Sequence, residues 1–248
     1  MVLAELLHRV HRLDVLTAFL ILGFVATILD WVLLRDACAR PLLGGTEQFA
    51  HLFRPHLAYG RWAVPTSALT WVPANLPYVM LPIFGGLQAS AQLRVIFTLA
   101  MPMIQTNYAF GQMLLPVFAR HRSAPDFRRH VRLALAGIVG LSLGFWMVLA
   151  IAGQSILSWL YAGRYTEVGP YLILIGAFPV LNGVVAVQQG ILRAHERPRL
   201  VFWAYAVASL TAVFAGFPLV YLLGLGGAVG AVLISYTALA IVLGWNLR

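Results

Sequence analysis

The chain has 248 residues, of which 61% are apolar and only 10% charged, and its formal net charge of +9 comes from seventeen arginines with no lysine. A soluble globular chain carries about a quarter charged residues, so this composition excludes one; the mean hydropathy of +0.84 agrees. The positive charge alone would admit nucleic acid as a partner, but the arginines flank apolar runs, so membrane lipids with anionic headgroups fit them and nucleic acid is set aside.

Met1–Leu13 places Leu3, Leu6, Leu7, Val10 and Leu13 on one helical stripe, with His8, Arg9 and Arg12 elsewhere, as in a short interfacial helix. Seven apolar runs follow: Val15–Leu34, Ala63–Leu87, Leu93–Phe118, Val131–Gly153, Val168–Leu192, Val201–Leu223 and Leu225–Trp245. Each approaches the ~20 residues that carry a helix across a bilayer core. The expected fold is all-α, a polytopic membrane bundle of seven transmembrane helices. Arg9, Arg12, Arg94 and Arg164 occupy one set of alternate connections, and the other thirteen arginines the opposite set. The positive-inside bias then places the N-terminus outside and the C-terminus in the cytoplasm.

Three segments are expected. Residues 1–34 form the interfacial helix and first span, residues 35–61 a cytoplasmic connector on the membrane surface, and residues 62–248 a lobe of six spans. The connector holds a Pro41–Gly45 turn and the lone Cys38, so no intrachain disulfide exists. The first span ends without a small-residue cleavage site, against a removable signal peptide.

Pro65, Pro73, Pro77 and Pro82 punctuate the second run. Proline removes a backbone donor and kinks a helix, and in lipid such breaks persist where protein or a wet cavity satisfies the freed carbonyls. The second span is therefore expected to line a cavity. The fourth and seventh runs carry small-residue ridges, Ala136-Gly140-Gly144 and Gly226-Gly230, that would allow close helix packing. Trp159, Tyr161 and Tyr165 resemble an interfacial aromatic belt.

Enzyme chemistry finds little purchase, and no cofactor is expected. Gly140-Leu-Ser-Leu-Gly144 matches a nucleophile pattern, but all seven histidines fall in loops or at span ends, so no base reaches the serine. Without lysine there is neither a Walker A motif nor a Schiff-base site. Asp30 is the one acid inside a run; it either pairs with Arg35 at the interface or serves a coupling ion. Gln105, Tyr108 and Gln112 share one face of the third span, Asn182 and Gln189 one face of the fifth, and Asn75 lies between Pro73 and Pro77. Amides in a membrane face other helices or water; here they form either interhelical hydrogen bonds or a hydrophilic path for a sugar. Arg61 and Arg94 open the second and third spans on opposite sides, suited either to phosphate or to snorkelling.

From His56 onward the chain resembles the C-terminal lobe of polysaccharide (O-antigen and lipid-linked oligosaccharide) flippases, in the superfamily of the multidrug and toxic-compound extrusion transporters. The resemblance rests on Tyr59-Gly-Arg-Trp-Ala-Val-Pro65, Leu115-Pro-Val-Phe-Ala-Arg120 and Tyr161-Ala-Gly-Arg-Tyr165, followed by Ile191-Leu-Arg-Ala-His-Glu-Arg197 and Leu223-Gly-Leu-Gly-Gly-Ala-Val-Gly-Ala231. It implies one six-helix lobe of a two-lobed transporter plus one preceding helix, which flips an undecaprenyl-pyrophosphate-linked repeat unit across the bacterial inner membrane. The other lobe would come from a second chain or a second copy. Arg61 or Arg94 would engage pyrophosphate, and Asn75, Gln105, Tyr108, Gln112, Asn182 and Gln189 the sugar or its water. Asn75 stands where many members carry an acid. A drug or cation antiporter half, or a non-transporting scaffold, are the alternatives.

Overall fold

The computed structural model describes residues 15–37 and 46–247. The interfacial stripe, Cys38 and the Pro41–Gly45 turn lie outside them. The described residues are helical throughout: α1 (Val15–Ala37), α2 (Thr46–Phe84), α3 (Gly86–His121), α4 (Phe127–Leu160), a 3-10 turn (Thr166–Val168), α5 (Gly169–Ala194), α6 (Pro198–Phe214) and α7 (Gly216–Trp245). The chain divides into two units, Met1–Arg54 and Pro55–Arg248. Among the described residues four helices are long and apolar enough to cross a membrane, as in a membrane protein: α3, α4, the segment Thr166–Ala194 and α7. α6 is shorter, and the described apolar part of α1 is Gly23–Val32.

In the first unit, Asp30 and Arg35 form no ion pair; Arg122–Glu196 is the one salt bridge among the described residues. The reason is rotation. Five residues at 3.6 per turn place two side chains far apart around the helix.

In the second unit α5 is the central helix. Half of its most apolar stretch is buried, against 17% for α4. Close packing comes from Gly169, Gly176, Gly183 and Gly190, spaced two turns apart on α5. A Cβ added there would meet Gln154, Trp146, Ile138 and Phe118 respectively. The expected ridges do not do this. Around Gly140, Gly144 and Gly230 nothing lies within 4 Å of an added Cβ, and only Gly226 meets a neighbour, Tyr171. Gly140 and Gly144 face outward because α4 turns Ile138, Ser142, Leu149 and Gly153 inward instead. Ser142 donates to the Pro179 carbonyl at 3.4 Å, so the Gly-x-Ser-x-Gly segment is part of a helix crossing. An aromatic chain, Tyr78–Phe97–Phe178–Tyr236, runs through the core with ring centroids 4.7 to 5.7 Å apart.

α7 is broken at Gly224, whose φ of 55° and ψ of −122° only glycine adopts freely. The segments on either side fold back on each other. Gly227 lies so close to the Leu219 carbonyl that a Cβ would sit 1.8 Å from its oxygen. The sixth apolar run is therefore realised as α6 plus the part of α7 before Gly224.

The prolines of the second run do not break α2, which is helical over 39 residues. Hydroxyls support it from within: Thr66 donates to the Trp62 carbonyl, Ser67 to Ala63 and Thr70 to Ser67.

Candidate functional site

The i, i+4, i+7, i+11 stripe of α5 carries Asn182, Ala186, Gln189 and Arg193 toward α3, where Tyr108, Gly111, Gln112 and Leu115 form the matching stripe. Gly111 lets the two helices approach, since an added Cβ there would lie 3.4 Å from Ala186 Cβ. Tyr205 of α6 closes the side. Together these residues line a partly open cavity of about 70 Å³ among α3, α5 and α6. That is room for a few waters at ~30 Å³ each.

The polar groups of the cavity are organised. Gln189 Nε2 donates to the Tyr205 hydroxyl, and Tyr108 lies beside Tyr236. Asn182 is 3% exposed, yet its Oδ1 accepts from no protein donor. A buried carbonyl left so is costly unless something donates to it. The pocket therefore favours an occupant with hydroxyl or water donors near Asn182.

Leu115 and Arg193 also wall a second cavity of about 290 Å³, whose far side is the α2 stripe Tyr59, Ala63, Thr66, Ser67 and Thr70. Arg193 thus stands between a small amide-lined pocket and a larger hydroxyl-lined one. The rise of 1.5 Å per residue puts it roughly 16 Å along α5 from Asn182. No aspartate or glutamate lines either cavity. The arrangement can hold neutral, hydroxyl-rich groups at one end and an anion at the other.

The structure brings together four of the residues expected from sequence: Tyr108, Gln112, Asn182 and Gln189. It leaves the other four of that set outside. Gln105 is exposed one turn beyond Tyr108 and lines neither cavity. Asn75 Nδ2 donates to the Trp71 carbonyl of its own helix at 3.0 Å. Arg61 lies over the Trp62 ring. Arg94 is beside Tyr78, and eighteen residues separate it from Gln112, roughly 27 Å along α3. Asp30 belongs to the first unit, and this site is confined to the second.

Sequence reasoning missed Arg193, Tyr205 and the α2 hydroxyls. Arg193 had a signal, being one turn beyond Gln189 on the same stripe, but its place at the end of a run reads as a loop arginine. Tyr205 had none, since a single tyrosine in an apolar run carries no pattern. No family model, curated protein or solved structure matches the chain.

Proposed function

We propose that the chain is one lobe of a bacterial inner-membrane transporter that flips an undecaprenyl-pyrophosphate-linked polysaccharide repeat unit, with the other lobe supplied by a second chain or a second copy. In this reading the seven apolar runs are seven spans and the arginine-rich side faces the cytoplasm. The observation that carries the proposal is Arg193 at the junction of two polar cavities inside an apolar bundle. A guanidinium matches pyrophosphate oxygens, while amides and hydroxyls match sugar. The role that the resemblance implied for Arg61 or Arg94 passes to Arg193, because neither of the other two lines these cavities. An exporter of cations would want carboxylates there, and neither cavity has one.

At about 70 Å³ the inner pocket is smaller than a sugar ring, so in this reading it widens as substrate enters.

The test exchanges Arg193→Gln and, separately, Gln112→Leu with Gln189→Leu, in cells that express the protein. The expected result is accumulation of lipid-linked repeat units in the cytoplasmic leaflet, with the chain still at normal abundance in the membrane. Unchanged export with both variants would overturn transport by this pocket and leave the scaffold reading standing.

A further inference from the structure

A third cavity lies apart from the polar pocket, at the α5–α6 turn. It measures about 590 Å³ and is lined by Tyr59, Trp62, Glu196, Arg197 and Arg199, with Leu200 among its apolar wall. Its charge is one-sided. Glu196 is the single acid on the wall, and it is committed to Arg122 at 2.9 Å. Arg197 and Arg199 have no carboxylate partner among the described residues.

One ring organises the cations. The guanidinium carbons of Arg61 and Arg199 lie 5.8 and 5.7 Å from the centroid of the same Trp62 indole. Phe202 packs against that indole with ring centroids 5.3 Å apart, and so fixes its orientation. A guanidinium held on an aromatic face keeps its N–H edges free to donate. Arg199 is on the cavity wall; Arg61 is not, but it adds positive charge at the same ring.

We propose that this cavity binds the phosphate diester of an anionic membrane lipid, held by Arg197 and Arg199 beside Trp62, with Arg61 adding positive charge at the same ring. Guanidinium edges match the phosphate oxygens in bidentate geometry. The volume far exceeds that of a phosphate, and Leu200 with the Tyr59 and Trp62 rings gives the remainder an amphipathic wall suited to a glycerol backbone and the start of an acyl chain. Basic pockets between helices at a membrane face bind lipid headgroups by the same chemistry. The site does not depend on the transport reading, and its residues are other than those of the two polar cavities apart from Tyr59 and Pro198.

The test is native mass spectrometry of the full-length chain in mild detergent, titrated with phosphatidylglycerol or, as the neutral comparison, phosphatidylcholine. Arg61→Gln with Arg199→Gln removes the two ring-held charges; both side chains are exposed, so the core is untouched. Arg128→Gln with Arg129→Gln removes equal charge from the start of α4. The expected result is a several-fold loss of bound phosphatidylglycerol in the first variant and none in the second. Equal loss in both would make the binding a matter of net charge and overturn the site, as would no loss in either. Bound phosphatidylglycerol should survive excess inorganic phosphate; displacement by phosphate would assign the arginines to a free anion and overturn the lipid assignment.

Discussion

The Ser209 hydroxyl donates to the Leu69 carbonyl at 3.0 Å, and Leu69 is the residue whose helical donor Pro73 removes. An α-helix bonds each N–H to the carbonyl four residues back, so Pro73 leaves the Leu69 oxygen orphaned. A buried carbonyl left without a donor is costly. A serine on α6 supplies one, and in doing so pins α6 to α2. One of the proline gaps in α2 is thus closed by a donor from a neighbouring helix.

Ser209→Ala should therefore destabilise the protein by about 1 kcal/mol, within the range of interhelical hydrogen bonds in membranes. In a Pro73→Ala background, where the backbone N–H returns, the same exchange should cost much less. Thermal melts of the four proteins in one detergent measure this coupling. Equal costs in both backgrounds would mean the hydroxyl is not serving the proline's carbonyl.

The glycines of α5 and α4 should behave oppositely. A Cβ at Gly176 would lie 2.2 Å from Trp146 Cδ1, and one at Gly183 2.3 Å from Ile138 Cγ2. Either alanine variant should lose about 1–3 kcal/mol through overpacking. Gly140→Ala and Gly144→Ala meet nothing within 4 Å and should be neutral or slightly stabilising through helix propensity. Melting temperatures of the four single variants decide the point.

Glu196 sits at φ 57°, in the left-handed region. The Arg197 N–H reaches the Leu192 carbonyl and the Glu196 N–H the Arg193 carbonyl, so the turn is a Schellman cap with glutamate where glycine is usual. A left-handed L-residue costs roughly 1–2 kcal/mol, while the exposed Arg122–Glu196 pair contributes about 0–1 kcal/mol. Glu196→Gly should raise the melting temperature slightly, and Glu196→Val, β-branched, should lower it. A fall with glycine would mean that the ion pair outweighs the backbone strain.

Much of the fold was legible in the apolar pattern. Most runs fall on one helix each, the second and sixth each run on into the next helix, and the single-residue gap between Leu223 and Leu225 is the Gly224 break. Helical spacing also placed Tyr108 with Gln112, and Asn182 with Gln189, because faces follow from periodicity alone. Other features depend on partners that periodicity cannot name. Helix α2 begins at Thr46, well before its apolar run, because helical structure does not require apolar residues. Gly140 and Gly144 have the spacing of a packing ridge but the wrong orientation. The glycines of α5, seven residues apart, make the contact because their stripe faces α4 and α3. The spacing of Asp30 and Arg35 is near in sequence and wrong in rotation. Arg193 joins the pocket because α5 carries it onto the Asn182 stripe, which a reading by spans and loops separates.

The function proposed above makes this chain half of a flippase that holds a pyrophosphate-linked sugar. Native mass spectrometry of the chain taken from its own membrane in mild detergent tests it most directly. The expected result is a stoichiometric companion, either a second copy or a chain bearing the remaining helices, with lipid-linked oligosaccharide bound to the pair. A lone monomer, or a pair that carries no lipid-linked sugar, would contradict it.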